Sequence, residues 1–263
     1  MTPAHIVPAV HGPGWLAQGW RLFRVAPLAW LLLVFAYWFL MALISIPPLI
    51  GVVAASILVP PFATGFMAVS RAAERGGPIA LGLLFEGFRR RPDVQLTLGG
   101  IYFLSLVLVL GASALADGGA FARLLLGGEQ PEPEMISSGA FLYAILVAAA
   151  LYIPVMLAFW FAPVLAAWHG IGALKALFFS LFACLMNWRA FLAYCVAAAL
   201  LTLVPPFIVL SAAGLLMHGA ERASVVSLVF PMVIVLLPTV FASFYASYRD
   251  VFGADSAPPS AQH

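Results

Sequence analysis

Charge is what this chain has least of. Asp, Glu, Lys and Arg make up 8% of its 263 residues, where an ordinary soluble domain carries about 25%. A soluble fold of this length could not cover its outside with so few charged groups. Cysteine is nearly absent as well. Cys184 and Cys195 form no CxxC pair and fall in or beside apolar stretches, which excludes a secreted disulfide scaffold and predicts two unpaired buried thiols. Lysine occurs once, at Lys175, and the net charge is only +2. That is too small to imply a polyanionic partner, so no nucleic acid is expected. Catalytic signatures are missing too: there is no HExxH, no GxSxG and no Walker loop.

What is there is hydrocarbon. Hydrophobic residues are 64% of the chain and the mean hydropathy is +1.08, which identifies an integral membrane protein and excludes a disordered one. From Val25 to Ser70 no charged residue occurs. Those residues would extend about 69 Å as helix, enough for two crossings of a core about 30 Å thick. Pro47-Pro48 is the natural break, giving spans Pro27–Ile46 and Leu49–Ser70. Val94–Ala116 is a third span, closed by Asp117-Gly118-Gly119. Phe141–Trp168 is a fourth, Ala190–Ala220 contains a fifth and Ala223–Tyr248 is a sixth. The run after Arg21 and Arg24 is too long for a signal-peptide core, so the first span reads as uncleaved. The alternation of a barrel strand is nowhere found.

Six spans put the N-terminus, two internal loops and the C-terminus on one side. That side holds Arg21, Arg24, Arg71, Arg75, Arg89, Arg90, Arg91, Lys175, Arg189 and Arg249, and the other holds Arg123 and Arg222. The bias places both termini in the cytoplasm of a bacterial inner membrane. Asp117, Glu129, Glu132 and Glu134 then fall in a short outer loop that solvates its own charge. The expected domain is 14–252, with a flexible tail over 1–13 and a disordered one over 253–263.

A loose threefold pattern runs through the chain. Gly14–Arg24, Ile79–Arg91 and Ala173–Arg189 each precede an outgoing span. In the first, Gln18, Arg21 and Arg24 share one side of a helical wheel and Trp15, Leu16, Trp20 and Phe23 the other. This predicts an amphipathic helix in the cytoplasmic interface with its Trp rings at headgroup depth. The third copy is far more apolar and is expected to be covered by protein. Each return span carries a proline about 16 Å from its cytoplasmic end, roughly the bilayer midplane: Pro61 (with Pro60), Pro163 and Pro238. The expected architecture is all-α, six transmembrane helices as three helical hairpins with cytoplasmic interfacial helices.

Two stretches carry a family likeness. Pro61-Phe62-Ala63-Thr64-Gly65, then Arg71, Gly76-Gly77 and Leu84-Phe85-Glu86-Gly87-Phe88-Arg89, is one. Phe159-Trp160-Phe161-Ala162-Pro163-Val164-Leu165, then Ala173-Leu174, Ser180 and Asn187-Trp188, is the other. Over about Trp15–Arg249 the chain resembles an uncharacterised betaproteobacterial family of six-helix integral membrane proteins. More distantly it is similar to the membrane domains attached to some glycerophosphodiester phosphodiesterases. The likeness implies fold and location. It implies no activity, because the phosphodiesterase catalytic domain has no counterpart here.

All the charged residues fall outside the expected spans, so no intramembrane carboxylate marks a proton path. His169 and His218 fall at opposite membrane faces, and His5, His11 and His263 in tails, so no catalytic residue, cofactor or metal is expected. Three candidates remain. Pro61, Pro163 and Pro238 free carbonyls earlier in their helices, either as kinks met by a neighbouring Ser or Thr or as the lining of a cavity for a neutral or lipidic ligand. Arg89, Arg90 and Arg91, forming a cytoplasmic ring with Arg21, Arg24, Arg71 and Arg75, are either the orientation signal alone or contacts to anionic lipid. Asn187 is a candidate for polar contact between helices. The expected function is structural or lipid-interacting and non-catalytic; the alternative is a channel or carrier for a neutral or apolar solute. Membrane lipids are the expected partners, with a membrane protein or a second copy as further ones. Small residues at spacing four, such as Gly51/Ala55 and Ala242/Ala246, permit close helix packing of either kind.

Overall fold

Long uncharged runs bounded by proline, glycine or acidic residues become long helices. In the computed structural model, residues 3–127, 133–136, 138–216, 227 and 229–253 are described, and every regular element among them is helical. In chain order these are α1 (His11–Val25), α2 (Pro27–Ser45), α3 (Ile50–Glu74), a 3-10 turn (Leu81–Phe85), α4 (Glu86–Arg89) and α5 (Pro92–Asp117). Then come α6 (Ala120–Leu125), α7 (Pro133–Ile136), α8 (Gly139–His169), α9 (Ala173–Met186), α10 (Trp188–Leu216) and α11 (Val229–Phe252). Five of them, α2, α3, α5, α8 and α10, are long and apolar enough to cross a membrane. The protein is an all-α polytopic membrane protein.

Local chemistry fixes the helix ends. The first uncharged run breaks at Pro47-Pro48: α2 stops at Ser45 and α3 starts at Ile50. Leu49 takes a left-handed φ of 63°, and the Gly51 N–H donates to the Pro47 carbonyl at 2.7 Å. Gly51 sits against the Ile44 carbonyl, where a Cβ has no room. Asp117 ends α5 and also starts α6, its carboxylate accepting from Gly119 N at 2.8 Å and Phe121 N at 2.7 Å. Ser138 caps α8 and Gly170 closes it in a left-handed conformation. The helices overrun the uncharged runs by up to a turn. Arg71 and Glu74 close α3, Asp93 opens α5, Arg189 opens α10, and Arg249 and Asp250 close α11. Among the described residues no charged side chain sits mid-helix in these long elements.

The chain forms two compact units. The first holds residues 1–43, 62–86 and 183–263. Its core includes Trp15, Trp30, Val69 and Phe252, all buried. Phe66 stacks on Phe241 with centroids 4.2 Å apart, and Tyr37 meets Phe62 and Phe66 edge-on. The second unit holds residues 44–61 and 87–182, built on α5 packed against α8, with Leu98, Phe161 and Leu165 buried. Large apolar side chains such as Leu28, Leu115 and Leu215 stand more than four-fifths exposed, as side chains facing hydrocarbon do.

The interfacial helices differ from expectation in three ways. Helix α1 forms, but Trp15 is fully buried rather than at headgroup depth, and only Trp20 of the two indoles is exposed. The reason is a packed partner: Phe191 and Tyr194 close on the Trp15 ring at 5.2 and 5.9 Å. The second copy is a 3-10 turn and a one-turn helix instead of a continuous helix. Gly82 and Gly87 weaken it, and Pro78 and Pro92 bound it. The third, α9, is not covered: Leu174, Phe178, Phe182 and Leu185 are exposed, while Ala176, Ser180, Ala183 and Cys184 are buried. Small residues every three or four positions give α9 one close-packing face and leave its large side chains to lipid. Cys195 is likewise exposed and free, with only Cys184 buried. Glu129, Glu132, His218, Arg222, His263, Met1, Thr2, residues 254–263 and residues 223–226 and 228 of the sixth expected span lie outside the described residues.

Candidate functional site

Two glycines on one face of α1 bring that helix down onto its neighbours. A Cβ on Gly12 would overlap the Ala190 carbonyl of α10, and one on Gly19 the Thr239 carbonyl of α11. Between them Trp15 Nε1 donates to Asp250 Oδ2 at 2.9 Å, and His11 Nδ1 lies 2.9 Å from the same oxygen. The close approach turns Gln18 and Arg21 of α1 toward the last turn of α11.

There a polar network closes. The Tyr245 hydroxyl donates to Glu74 Oε2 at 2.6 Å. Arg249 donates from one guanidinium nitrogen to Glu74 Oε1 and from the other to Gln18 Oε1. Gln18, Arg21, Leu22, Glu74, Tyr245, Ala246 and Arg249 line a pocket of about 340 Å³ within the first unit. Such a volume is at the lower end for small-ligand sites. On the sequence alone Arg21 belongs to the polar face of α1 and to a cytoplasmic ring of arginines, Arg249 bears only on orientation, and Glu74 has no role. The readable signal was the spacing of Tyr245 and Arg249, one turn apart on a helix face, with a polar Gln18/Arg21 side on α1 needing a partner.

The prolines are buried. Pro61 and Pro163 belong to the second unit and Pro238 to the first. The Gly87 backbone lies against Pro61. The Pro163 carbonyl accepts from Gln95 Nε2 at 2.7 Å. Upstream of it, Ser180 Oγ accepts from Phe161 N and donates to the Leu157 carbonyl. None of the three prolines lines the polar pocket beside Glu74. An apolar pocket of about 420 Å³ in the second unit is lined instead by residues of α5, α6 and α8, among them Val109, Phe121, Ala148 and Tyr152.

Arg89 and Arg90 are exposed. Arg91 adopts a left-handed φ of 52° just before Pro92, donates to the Gly170 carbonyl at 2.7 Å and lies 3.5 Å from Asp93. Asn187 is buried, but its amide engages the N-terminal segment. Oδ1 accepts from Val7 N at 2.8 Å, while Nδ2 donates to the His5 and Ala183 carbonyls, each at 2.9 Å. His5 N also donates to the Val251 carbonyl at 2.7 Å. The segment before α1, which begins at His11 rather than Gly14, is thus hydrogen-bonded into the first unit.

A protein of Burkholderia thailandensis named "Probable inner membrane protein" is 40% identical to this chain over 253 residues, 94% of this chain and 93% of that one. The chain belongs to this inner membrane protein family. It is therefore an integral inner-membrane protein, as its helices require. No family model matches the chain. No solved structure matches it.

Proposed function

We propose that this is a six-span, non-catalytic inner-membrane protein that interacts with lipid, both termini lying in the cytoplasm. The sixth span is α11, whose 24 residues are long enough to cross. The orientation rests on the excess of arginine beside the N-terminus, residues 71–91, residues 175–189 and Arg249. The distant likeness to membrane domains of glycerophosphodiester phosphodiesterases rests on sequence motifs alone.

The observation that carries the lipid reading is the segment between α3 and α5. Along it Leu81 and Phe85 are exposed and are followed by exposed Arg89 and Arg90. Apolar side chains next to cations suit the boundary between acyl chains and anionic headgroups, where each basic residue contributes about 1 kcal/mol. Arg89→Gln/Arg90→Gln/Arg91→Gln, in nanodiscs of equal anionic and zwitterionic lipid, should hold less anionic lipid than wild type by mass spectrometry. Equal enrichment ends the reading. A membrane-protein partner or a second copy fits the same surface. The second reading, a channel or carrier for a neutral or apolar solute, is favoured by the apolar pocket between α5, α6 and α8.

A further inference from the structure

The pocket at the end of α11 has used up its acceptors. Both Glu74 oxygens are engaged, one by the Tyr245 hydroxyl and one by Arg249, and the Gln18 carbonyl oxygen takes the other arm of Arg249. What still faces the space are donors: the Gln18 amide nitrogen and the Arg21 guanidinium, with two and five N–H groups respectively. Neither has a protein partner among the described residues. Two arginines and one carboxylate line the pocket, so a positive charge is left in excess. Arg75 follows Glu74 in the chain, and the nearby Asp250 carboxylate is occupied by Trp15 and His11. A volume of about 340 Å³ admits a small polar group and little more.

We propose that this pocket binds a phosphoryl group, with Arg21 as the forked cation and Gln18 as a neutral donor beside it. A planar guanidinium meets two phosphoryl oxygens at once. Arg249, fixed by Glu74 and Gln18, sets the far wall rather than moving to the ligand. The group comes from an acidic phospholipid headgroup or from free phosphate. The lipid source rests on the function proposed above; the phosphoryl chemistry does not.

The test uses the full-length protein in maltoside micelles stripped of phospholipid, in phosphate-free buffer. Dihexanoyl phosphatidylglycerol and inorganic phosphate are titrated separately, with native mass spectrometry and the thermal midpoint as readouts. Saturable binding is expected, weakened about ten-fold or more by Arg21→Gln, as for the loss of a charge-assisted hydrogen bond. Arg21→Lys should keep part of it, and Arg123→Gln, an exposed arginine of the second unit, all of it. Binding of the short lipid alone assigns the headgroup; binding of phosphate as tightly assigns the free anion. The proposal is overturned if neither probe saturates, or if Arg21→Gln, folded with an unchanged midpoint, binds like wild type. A failure confined to the Arg89→Gln/Arg90→Gln/Arg91→Gln variant in nanodiscs removes the lipid reading and leaves this pocket standing.

Discussion

Ser180 Oγ accepts a hydrogen bond from the Phe161 N–H at 2.9 Å and donates to the Leu157 carbonyl at 2.8 Å. A hydroxyl from α9 therefore bridges two backbone groups one turn apart in α8, just before Pro163. In the hydrocarbon core, where bulk water is absent, such backbone groups need a partner from the protein or an ordered water, and here Ser180 is that partner. Ser180→Ala should lower stability by about 0.6–1.7 kcal/mol, the range of polar contacts between membrane helices, measured by unfolding in mixed micelles. Ser105→Ala is the control. Its hydroxyl bonds only to Ile101 of its own helix, and its removal should change stability by less than about 0.5 kcal/mol. Equal effects would mean that the bridge adds no stability of its own.

Gly19 and Gly14 lie on one helix but in different surroundings. A Cβ at Gly19 meets the Thr239 backbone, while one at Gly14 meets nothing. Gly19→Ala should destabilise by about 1–3 kcal/mol, as overpacking does. Gly14→Ala should be neutral or slightly stabilising. Because α1 carries Gln18 and Arg21, Gly19→Ala should also weaken phosphoryl binding, which a calorimetric titration would detect.

Asn187 ties His5 and Val7 to the start of α10. Asn187→Ala leaves the Val7 amide without its acceptor, at a cost of about 1–3 kcal/mol where such a group stays buried. Hydrogen exchange at Val7 should accelerate, while exchange in the second unit stays unchanged. Unchanged protection at Val7 would show that the His5–Val251 bond alone holds the segment.

Reporter fusions test the orientation. An alkaline phosphatase fused at Gly127 should be active, and one fused after Phe252 inactive, with the converse for a cytoplasmic fluorescent reporter. Activity at both positions would mean an even number of crossings between them and would end the six-span topology.

Much of this fold was legible because a bilayer imposes a single requirement over long stretches of chain. Runs of apolar residues without charge gave the helices, and Pro47-Pro48 and Asp117 marked limits between them, whereas the cap at Gly170 is seen only in the structure. The three-residue spacing of Gln18 and Arg21 was visible too, but its meaning was not. A helical wheel shows which side of α1 is polar and not what stands beside it. Whether Trp15 meets lipid headgroups or Phe191 is decided by packing.

The sequence by itself determined an all-helical inner-membrane protein with its charges kept to the helix ends, because moving any of them into hydrocarbon carries a large desolvation cost. Tertiary structure alone decided that Glu74, Tyr245, Arg249 and Gln18 share one hydrogen-bond network. These residues are up to 231 positions apart in the chain. Hydropathy is a property of each residue and can be summed along a window, whereas a hydrogen bond between distant helices depends on how their faces meet.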